Sequence, residues 1–345
     1  MLRIDGGEGE GGGQILRTSL LFSFVLGQGI EVFNIRAKRD NPGLRPQHLA
    51  VVTAFASATG GVVENAKVGS DVIRFSPGSE VPDRIEIDVG TAGSVTLILQ
   101  TLLSAVSLKG LGTRAVVRGG TDTRWSPTYD YLEKVFEPAA ALLGLPLGTN
   151  VRQRGYYPAG GGLVEGQCQP AKETAYVRLD SKPSDAAVDV FSVCGSLPES
   201  VAQRQSDSAI ARLRGSGAFA ERAFVQRVDS DSPGTSILVC HVEDGRVFLG
   251  SDAVGERGVR AEVVGASAAS GMASPLSKGA AVDRHLADML VPLMALQGGG
   301  EMVTDEETQH LRTNLAVAAR FTGCGYGITR EGGLCRVRVA GRTKA

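Results

Sequence analysis

The 345-residue chain has few residues that could cross-link it, bind zinc or place it in a membrane. Its five cysteines lie far apart and include no C-x-x-C pair. Such spacing argues against a disulfide framework or a zinc site and favours the reduced thiols of an intracellular protein. No apolar run approaches the ~18 residues that a membrane-spanning helix needs. We therefore expect a cytoplasmic protein that does not insert into membranes.

An excess of charge of one sign is also absent. The 36 lysines and arginines are offset by 37 aspartates and glutamates, which leaves a formal net charge of −1. Any contact with nucleic acid must therefore use a local basic cluster rather than a field around the whole molecule. With 42% hydrophobic and 21% charged residues the composition is that of an ordinary globular protein. The length favours about two domains.

Glycine is abundant, with 46 residues, and glycine loops mark a recurring pattern. A strand is predicted at 2–5, followed by a glycine loop and an apolar helix at 14–25. The pattern returns with a strand at 84–89 and a helix at 94–107, and a third copy is predicted to start with a strand at 115–118. Strand, glycine turn and helix in this order predict a repeated α+β unit.

The pattern changes near residue 183, where the turn-rich segment SKPSDAAVD begins. Further strands and helices follow, up to a helix predicted at 259–272 and a second turn-like segment, ASPLSKG. We predict an α+β protein built from two-layer α/β repeats. In this interpretation residues 1–183 and 275–345 form a large, repeat-built catalytic domain, and residues 184–274 form a smaller inserted α/β domain.

The first glycine loop, GGEGEGGG, holds six glycines and two carboxylates, Glu8 and Glu10. Gly7, Gly9 and Gly12 satisfy the dinucleotide-binding pattern G-x-G-x-x-G. However, the strand is short, and carboxylates in the loop would repel a pyrophosphate unless a cation lay between them. Two interpretations remain: a purely structural turn, or a phosphate or metal site. In the second, Glu10 holds a cation such as Mg²⁺ and Arg17 supports an anion.

The segment NIRAKRDNPGLRPQHL carries four cationic side chains within ten positions: Arg36, Lys38, Arg39 and Arg45. The Asn-Pro-Gly turn places them on a loop, where guanidinium groups suit phosphate binding because each can donate two parallel hydrogen bonds. A solvent-exposed turn without a ligand is the alternative. His48, which follows, is interpreted as a helix-start or packing residue rather than a catalyst.

Six segments occur in one order along the chain: GEGEGGGQILR, NPGLRPQHL, TAGSVTLILQT, RGGTD, YYPAGGG and HLRTNLAV. Together they resemble the RNA 3′-terminal phosphate cyclase family, from residue 2 to about residue 325. The resemblance implies tandem repeats similar to the C-terminal domain of a bacterial translation initiation factor, a fold also seen in enolpyruvyl transferases, with a small domain inserted late. It also implies that the chain acts on ATP and on RNA 3′-phosphate ends.

In that family a histidine attacks the α-phosphate of ATP and forms a covalent histidine–AMP. The AMP passes to the RNA 3′-phosphate, and the neighbouring 2′-hydroxyl displaces it to leave a 2′,3′-cyclic phosphate. The resemblance places the nucleophile at His310, in the segment QHLRTN. Neutral imidazole suits this role because it is nucleophilic near pH 7.

The resemblance also assigns the remaining site residues. It places a divalent cation, Mg²⁺ or Mn²⁺, between Glu10 and the triphosphate. The residues for the phosphates and the RNA end are Arg17, Arg36, Arg39 and Gln47. The residues for the nucleotide are Gln100, Pro127, His285, Leu286, Ala287, Asp288 and Met289. His285 and Met289 stand where family members carry tyrosine and glutamine, so GTP remains an alternative to ATP.

Two other functions are considered. A cyclase-like ribosome-assembly factor shares the fold but acts by binding RNA or protein and lacks the adenylylated histidine. The presence of His310 argues against it. An enolpyruvyl transferase shares the repeat fold alone, and its phosphoenolpyruvate-binding lysine and arginine motifs are not evident here. The sequence thus favours the cyclase.

Overall fold

The computed structural model describes residues 1–9, 11–243 and 245–342. The described strands form four four-stranded sheets, three of which share one topology. In each of the three, the first strand pairs in parallel with the second, and two antiparallel strands complete the sheet. Parallel neighbours need a crossover connection, which helices supply. The chain is therefore a mixed α+β protein built on a repeated unit.

The first unit has the strand order β1-β2-β4-β3. Its helix α1 ends at Gly27, whose left-handed conformation (φ 69°) lets the chain turn towards β2. The elements are β1 (Leu2–Asp5), α1 (Gly13–Leu26), β2 (Ile30–Phe33), α2 (Pro46–Ala58), β3 (Val62–Glu64) and β4 (Ile73–Ser76).

The second unit repeats the order as β5-β6-β8-β7. The strand that was predicted to begin a third copy lies in β6, parallel to β5 in the same sheet, so this prediction was wrong. Both strands of one parallel pair are followed by glycines, and this made one unit look like two. The elements are β5 (Arg84–Asp88), α3 (Val95–Leu108), β6 (Thr113–Gly119), α4 (Tyr129–Tyr131), a π-helical turn (Leu132–Phe136), α5 (Glu137–Leu142), β7 (Leu147–Gln153) and β8 (Gly162–Cys168).

The third unit is interrupted. Its first two strands, β9 and β14, are parallel neighbours with Val177 opposite Gly300, yet a second group of elements lies between them in the chain. The strand order is β15-β16-β14-β9, which is again the shared topology. The elements are β9 (Val177–Leu179), α8 (Arg284–Leu296), β14 (Gly299–Thr304), α9 (Gln309–Thr322), β15 (Tyr326–Glu331) and β16 (Leu334–Ala340).

The intervening group forms the fourth sheet, in the order β11-β10-β12-β13. Its last helix continues through the segment ASPLSKG, so residue 274 lies inside a helix and not at a turn. Met272 and Pro275 of that helix are both buried, which keeps the helix packed past the predicted boundary. The elements are β10 (Ala187–Gly195), α6 (Glu199–Gly215), β11 (Phe219–Val228), β12 (Gly234–Glu243), β13 (Val247–Val254) and α7 (Ala261–Lys278).

Alternate side chains of β12 belong to two different hydrophobic cores, because successive residues of a strand point to opposite faces. Ile237 and Val239 pack in a core that the fourth sheet forms with α6 and α7. Leu238 and Cys240 belong to the core of the three repeats. The fourth sheet thus packs on the body built from the repeats. None of the helices in the described ranges is long and apolar enough to cross a membrane.

Candidate active site

The glycine loop between β1 and α1 packs against the start of α9. A Cβ on Gly12 would lie 3.9 Å from Cε1 of His310 and 3.5 Å from Nη2 of Arg39. A Cβ on Gly9, whose φ is +59°, would lie only 2.1 Å from Oγ1 of Thr313. Glycine permits both the backbone conformation and the close approach. The loop thereby brings the N-terminus of α1 next to His310.

Three helix N-termini meet at one cavity of about 1620 Å³. Its lining includes Gly13 at the start of α1, His48 in the first turn of α2 and His310 in the first turn of α9. None of these helices has an acidic residue in its first turn. Unpaired N–H groups and the positive end of the helix dipole favour a bound anion such as a phosphate.

Three arginines predicted to bind phosphate, Arg17, Arg36 and Arg39, line this same cavity. Burial lowers the pKa of Arg17 to about 10, so its guanidinium stays charged at neutral pH. The pKa of Arg36 is lowered by burial and then by the charges of Arg39 and Arg45. The Nε of Arg36 is buried and has no hydrogen-bond partner among the described residues. Clustered cations of this kind are stabilised by a multivalent anion.

His48 is buried beside the glycine loop. Its Nδ1 accepts a hydrogen bond from the backbone N–H of Arg45 at 3.4 Å, at the start of α2. A Cβ on Gly13 would lie 2.5 Å from its Nε2. Burial, followed by the charges of Arg36 and Arg17, lowers the pKa of His48 to about 4. The imidazole is therefore neutral at physiological pH and adds no charge to the cluster. Gln47 lies next to it, exposed, and also lines the cavity.

A second cavity of about 600 Å³ adjoins the first. His310 and Arg17 line both cavities. The lining of the smaller one includes five of the residues predicted to bind the nucleotide: Gln100, Pro127, His285, Asp288 and Met289. The structure thus brings these five predicted nucleotide residues to one side of His310 and Arg36, Arg39 and Gln47 to the other, while Arg17 lines both cavities.

Helix α8 presents one face to the smaller cavity. His285, Asp288 and Met289 line it, whereas Leu286 and Ala287 are fully buried in the core of the repeats. Residues at i, i+3 and i+4 share a helix face, so the two residues between them point elsewhere. The side chains of Leu286 and Ala287 therefore support the helix from the core and do not line either cavity.

Asp283 fixes the start of α8. Its carboxylate accepts hydrogen bonds from the backbone N–H groups of His285 (2.9 Å) and Leu286 (3.0 Å). The hydroxyl of Tyr131 donates to it at 2.9 Å, and the N–H of Gly250 donates at the same distance. Burial raises the pKa of Asp283 above its ordinary value, and these donors oppose that effect. The second unit and the fourth sheet thus both position the face of α8 that lines the smaller cavity.

Hydrogen bonds also tie α9 to α1 and α8 around His310. The side-chain amide of Asn314 donates to the backbone carbonyl of Asp288 at 2.6 Å and accepts from the hydroxyl of Thr18 at 2.8 Å. Thr308, which caps α9, donates its hydroxyl to Oδ1 of Asp288 at 2.6 Å. A histidine in the first turn of a helix held in this way has little freedom of position.

Comparison of the sequence with known proteins identifies its family. A family model described as RNA 3′-terminal phosphate cyclase matches residues 8–328. The chain belongs to the RNA 3′-terminal phosphate cyclase family. It is 42% identical over 343 residues to the protein of that name from Thermococcus onnurineus, covering 99% of each chain. It is 39% identical over 341 residues to that of Pyrobaculum aerophilum, covering 99% of this chain and 98% of the relative.

The predicted metal ligand of this family member, Glu10, lies outside the described residues. Across residues 1–9, 11–243 and 245–342, no group of three or more His, Cys, Asp or Glu side chains could hold a metal ion. Mg²⁺ bound to a nucleotide keeps several waters and takes one or two carboxylates together with substrate phosphates. A metal bridging a triphosphate therefore does not require such a group, and the metal at Glu10 stays a prediction.

Several lining residues escaped the sequence analysis. Tyr157 lines the larger cavity, Asp252 lines the smaller one, and Trp125 and Glu256 line both. Asp252 accepts a hydrogen bond from the N–H of Thr128 at 2.6 Å, and burial raises its pKa. Asp252 and Glu256 have no neighbouring motif in the sequence. RGGTD ends shortly before Trp125 and YYPAGGG contains Tyr157, so these two segments were the available signals.

Proposed function

We propose that this chain is an ATP-dependent RNA 3′-terminal phosphate cyclase that works through a covalent AMP on His310. One observation carries the proposal: His310 lies in the first turn of α9 and lines both the cavity of the predicted nucleotide residues and the arginine-lined cavity. A nucleophile that takes AMP from one substrate and gives it to another must reach both. Membership of the family and its relatives' names support the same reaction.

In the first step a ring nitrogen of His310 attacks the α-phosphorus of ATP. The phosphorus–nitrogen bond forms as the bond to pyrophosphate breaks. An oxygen of the RNA 3′-phosphate then attacks the adenylate phosphorus, which frees the histidine and forms an RNA–adenylate anhydride. Finally the 2′-hydroxyl attacks the 3′-phosphorus, AMP leaves and the hydroxyl proton goes to water. Proximity accelerates this last step, because the two oxygens are vicinal.

Positive charges of the chain would bind the phosphates of both substrates. The N-termini of α1 and α9, together with Arg17, lie where the triphosphate would meet His310. Arg36, Arg39 and Gln47 line only the larger cavity of the two and would hold the RNA 3′-phosphate. Fixed N–H groups and guanidinium groups stabilise charge that develops in phosphoryl transfer without reorganising first.

On the other side, Gln100, Pro127, His285, Asp288 and Met289 would hold the base of ATP. The imidazole of His285 can stack on a purine and the thioether of Met289 can pack against it. GTP remains the alternative nucleotide. A divalent cation held by Glu10, when bound, would withdraw negative charge from the triphosphate.

The proposal includes the domain organisation. Residues 1–183 and 275–345 would form the catalytic domain, with repeats like those of the initiation-factor C-terminal domain and enolpyruvyl transferases. Residues 184–274 would form the inserted domain together with the end of α7, which continues to Lys278. The separate core of the fourth sheet with α6 and α7 supports this division.

The test is incubation with labelled ATP and Mg²⁺ or Mn²⁺. The wild type is expected to form an acid-labile protein–AMP adduct, and His310→Ala is expected to form none. His241→Gln is the matched control, because His241 lies in β12 and bonds the carbonyl of Ala187 instead of lining either cavity. A 3′-phosphorylated RNA should then become resistant to phosphatase as its end cyclises. An unlabelled wild type that binds RNA tightly would instead favour the ribosome-assembly alternative.

A further inference from the structure

Two exposed aromatic rings line the larger cavity. Among the described residues, Trp125 (87% exposed) and Tyr157 (78% exposed) are the most exposed of the large hydrophobic side chains. Both line the larger cavity, which also holds Arg36 and Arg39, and Trp125 lines the smaller cavity as well. Large rings left in water are unfavourable on their own account, so two of them in one charged cavity indicate a surface kept open for a ligand.

The loop that carries Trp125 is held in place. Trp125 has a φ of 66°, which is uncommon for a bulky residue. The hydroxyls of Thr123 and Ser126 share a hydrogen bond of 2.7 Å across the turn. Arg124 lies 4.9 Å from the centre of the indole ring and forms an ion pair of 2.9 Å with Glu256. A ring fixed in advance loses little entropy when a ligand binds.

The loop that carries Tyr157 is fixed by its buried neighbours. Arg154 pairs with Asp122 at 3.2 Å beneath the cavity. The ring of Tyr156 packs against the fourth sheet, since a Cβ on Gly234 would lie 2.1 Å from it. Tyr157 itself lines the larger cavity and does not line the smaller one with the predicted nucleotide residues.

Exposed aromatic rings beside arginines are the means by which proteins bind single-stranded nucleic acid: bases stack on the rings and cations follow the phosphates. Arg257 adds a further cation to the lining. At about 1620 Å³ the cavity exceeds the ~300–1,000 Å³ of a usual small-molecule pocket, so it has room for more than a terminal phosphate.

We propose that Trp125 and Tyr157 form a stacking surface for the bases at the 3′ end of the RNA. This inference rests on the proposed function, and it names the part of the substrate that the larger cavity recognises. Stacking tolerates every base, because each has a π-face. The surface would therefore align many RNA ends by their shape, while Arg36 and Arg39 hold the phosphate.

Trp125 is the chain's only tryptophan, so its fluorescence reports on this surface directly. A 3′-phosphorylated oligoadenylate, added without ATP, is expected to quench the emission. A strand of equal length and charge, abasic at its two 3′-terminal positions, is expected to bind with little quenching. Equal quenching by both strands would overturn the proposal. Full quenching by ATP alone, with no further change on adding the oligoadenylate, would overturn it too, because Trp125, which lines both cavities, would then serve the nucleotide and not the RNA.

Kinetics give an independent test. Trp125→Ala and Tyr157→Ala should each raise the KM for the oligoadenylate about tenfold, whereas Trp125→Phe should retain much of the affinity. Neither alanine variant should raise the KM of the abasic strand further. Tyr326→Ala is the control, because Tyr326 is an exposed aromatic residue that lines neither cavity.

The outcome for stacking can be separated from the outcome for the reaction. A wild type that forms the AMP adduct and cyclises RNA, with KM values unchanged in both alanine variants, overturns the stacking surface alone. A wild type that forms no adduct fails the proposed function, while quenching by the oligoadenylate but not by the abasic strand would still support the stacking surface.

Discussion

Replacing Gly9 by alanine tests how the glycine loop supports the site. The new Cβ would lie 2.1 Å from Oγ1 of Thr313, far inside van der Waals contact, at a φ of +59°. The left-handed conformation costs about 1–2 kcal/mol for an L-residue, and overpacking typically costs about 1–3 kcal/mol. Gly9→Ala should therefore lower the free energy of unfolding by about 2–5 kcal/mol. It should also slow adduct formation, since Thr313 lies one turn after His310 on α9.

The second substitution separates the two costs. In Gly9→Ala/Thr313→Ala the clashing hydroxyl is gone, and the nearest remaining atom of residue 313 is Cβ at 3.4 Å, an ordinary contact. In the Thr313→Ala background, Gly9→Ala should therefore cost only the backbone term of about 1–2 kcal/mol, which is about 1–3 kcal/mol less than in the wild type. Thr313→Ala alone loses its hydrogen bond to the carbonyl of Gln309, worth about 1 kcal/mol. Urea unfolding of the wild type, the two single variants and the double variant measures this double-mutant cycle. A Gly9→Ala variant as stable as the wild type, or an equal cost of Gly9→Ala in the wild-type and Thr313→Ala backgrounds, would refute this account of the loop.

Three further predictions concern the charges and the support of the site. Arg39→Ala should raise the KM for 3′-phosphorylated RNA by about 10-fold or more, with a smaller effect on adduct formation, because it loses a charged hydrogen bond to the terminal phosphate. Lys38→Ala is the control, since Lys38 is exposed and lines neither cavity. Equal losses in RNA use and in adduct formation would instead assign the arginine loop to ATP. The depressed pKa of His48, about 4 against an ordinary 6.5, means that the unfolded chain takes up the proton first on acidification. The contribution of His48 to the free energy of unfolding is fully present above about pH 6.5 and is lost towards pH 4, by up to about 3 kcal/mol. Urea unfolding at several pH values should therefore show a free energy of unfolding that falls with pH over this range, and His48→Asn should make the fall smaller. An equal fall in His48→Asn and the wild type would contradict the prediction. Tyr131→Phe should lower the free energy of unfolding by about 1–3 kcal/mol, because buried Asp283 loses a hydrogen-bond donor. Tyr326→Phe, at the surface, is the control and should leave the free energy of unfolding unchanged. Equal midpoints of urea unfolding for Tyr131→Phe and the wild type would contradict the role of the Tyr131 hydroxyl.

Local patterns predicted the elements well where helices and strands have clear periodicity. The helices expected at 14–25 and 94–107 correspond to Gly13–Leu26 and Val95–Leu108. The grouping into units was harder to predict, because β9 and β14 are neighbours in the sheet but lie far apart in the chain. The separation hides the period of the third repeat.

For the candidate site, too, local sequence patterns predicted some features and long-range contacts decided the others. The sequence indicated an unusual glycine loop, but the reason for its glycines is a helix some 300 residues later: Gly9 packs on Thr313 and Gly12 lies beside His310. Only the resemblance to a family predicted His310. The segment RGGTD lies close to Trp125 and YYPAGGG contains Tyr157, but these segments do not indicate the role of the two residues, since exposure and a shared cavity are properties of the folded chain.

The most direct measurement is the location of AMP on the protein after reaction with ATP and Mg²⁺ or Mn²⁺. Peptide mapping by mass spectrometry, under neutral conditions that preserve a phosphorus–nitrogen bond, identifies the modified residue. The account predicts one AMP on the imidazole of His310, removed when 3′-phosphorylated RNA is added and replaced by a cyclic RNA end. AMP on another residue, or cyclisation that proceeds unchanged in His310→Ala, would contradict it.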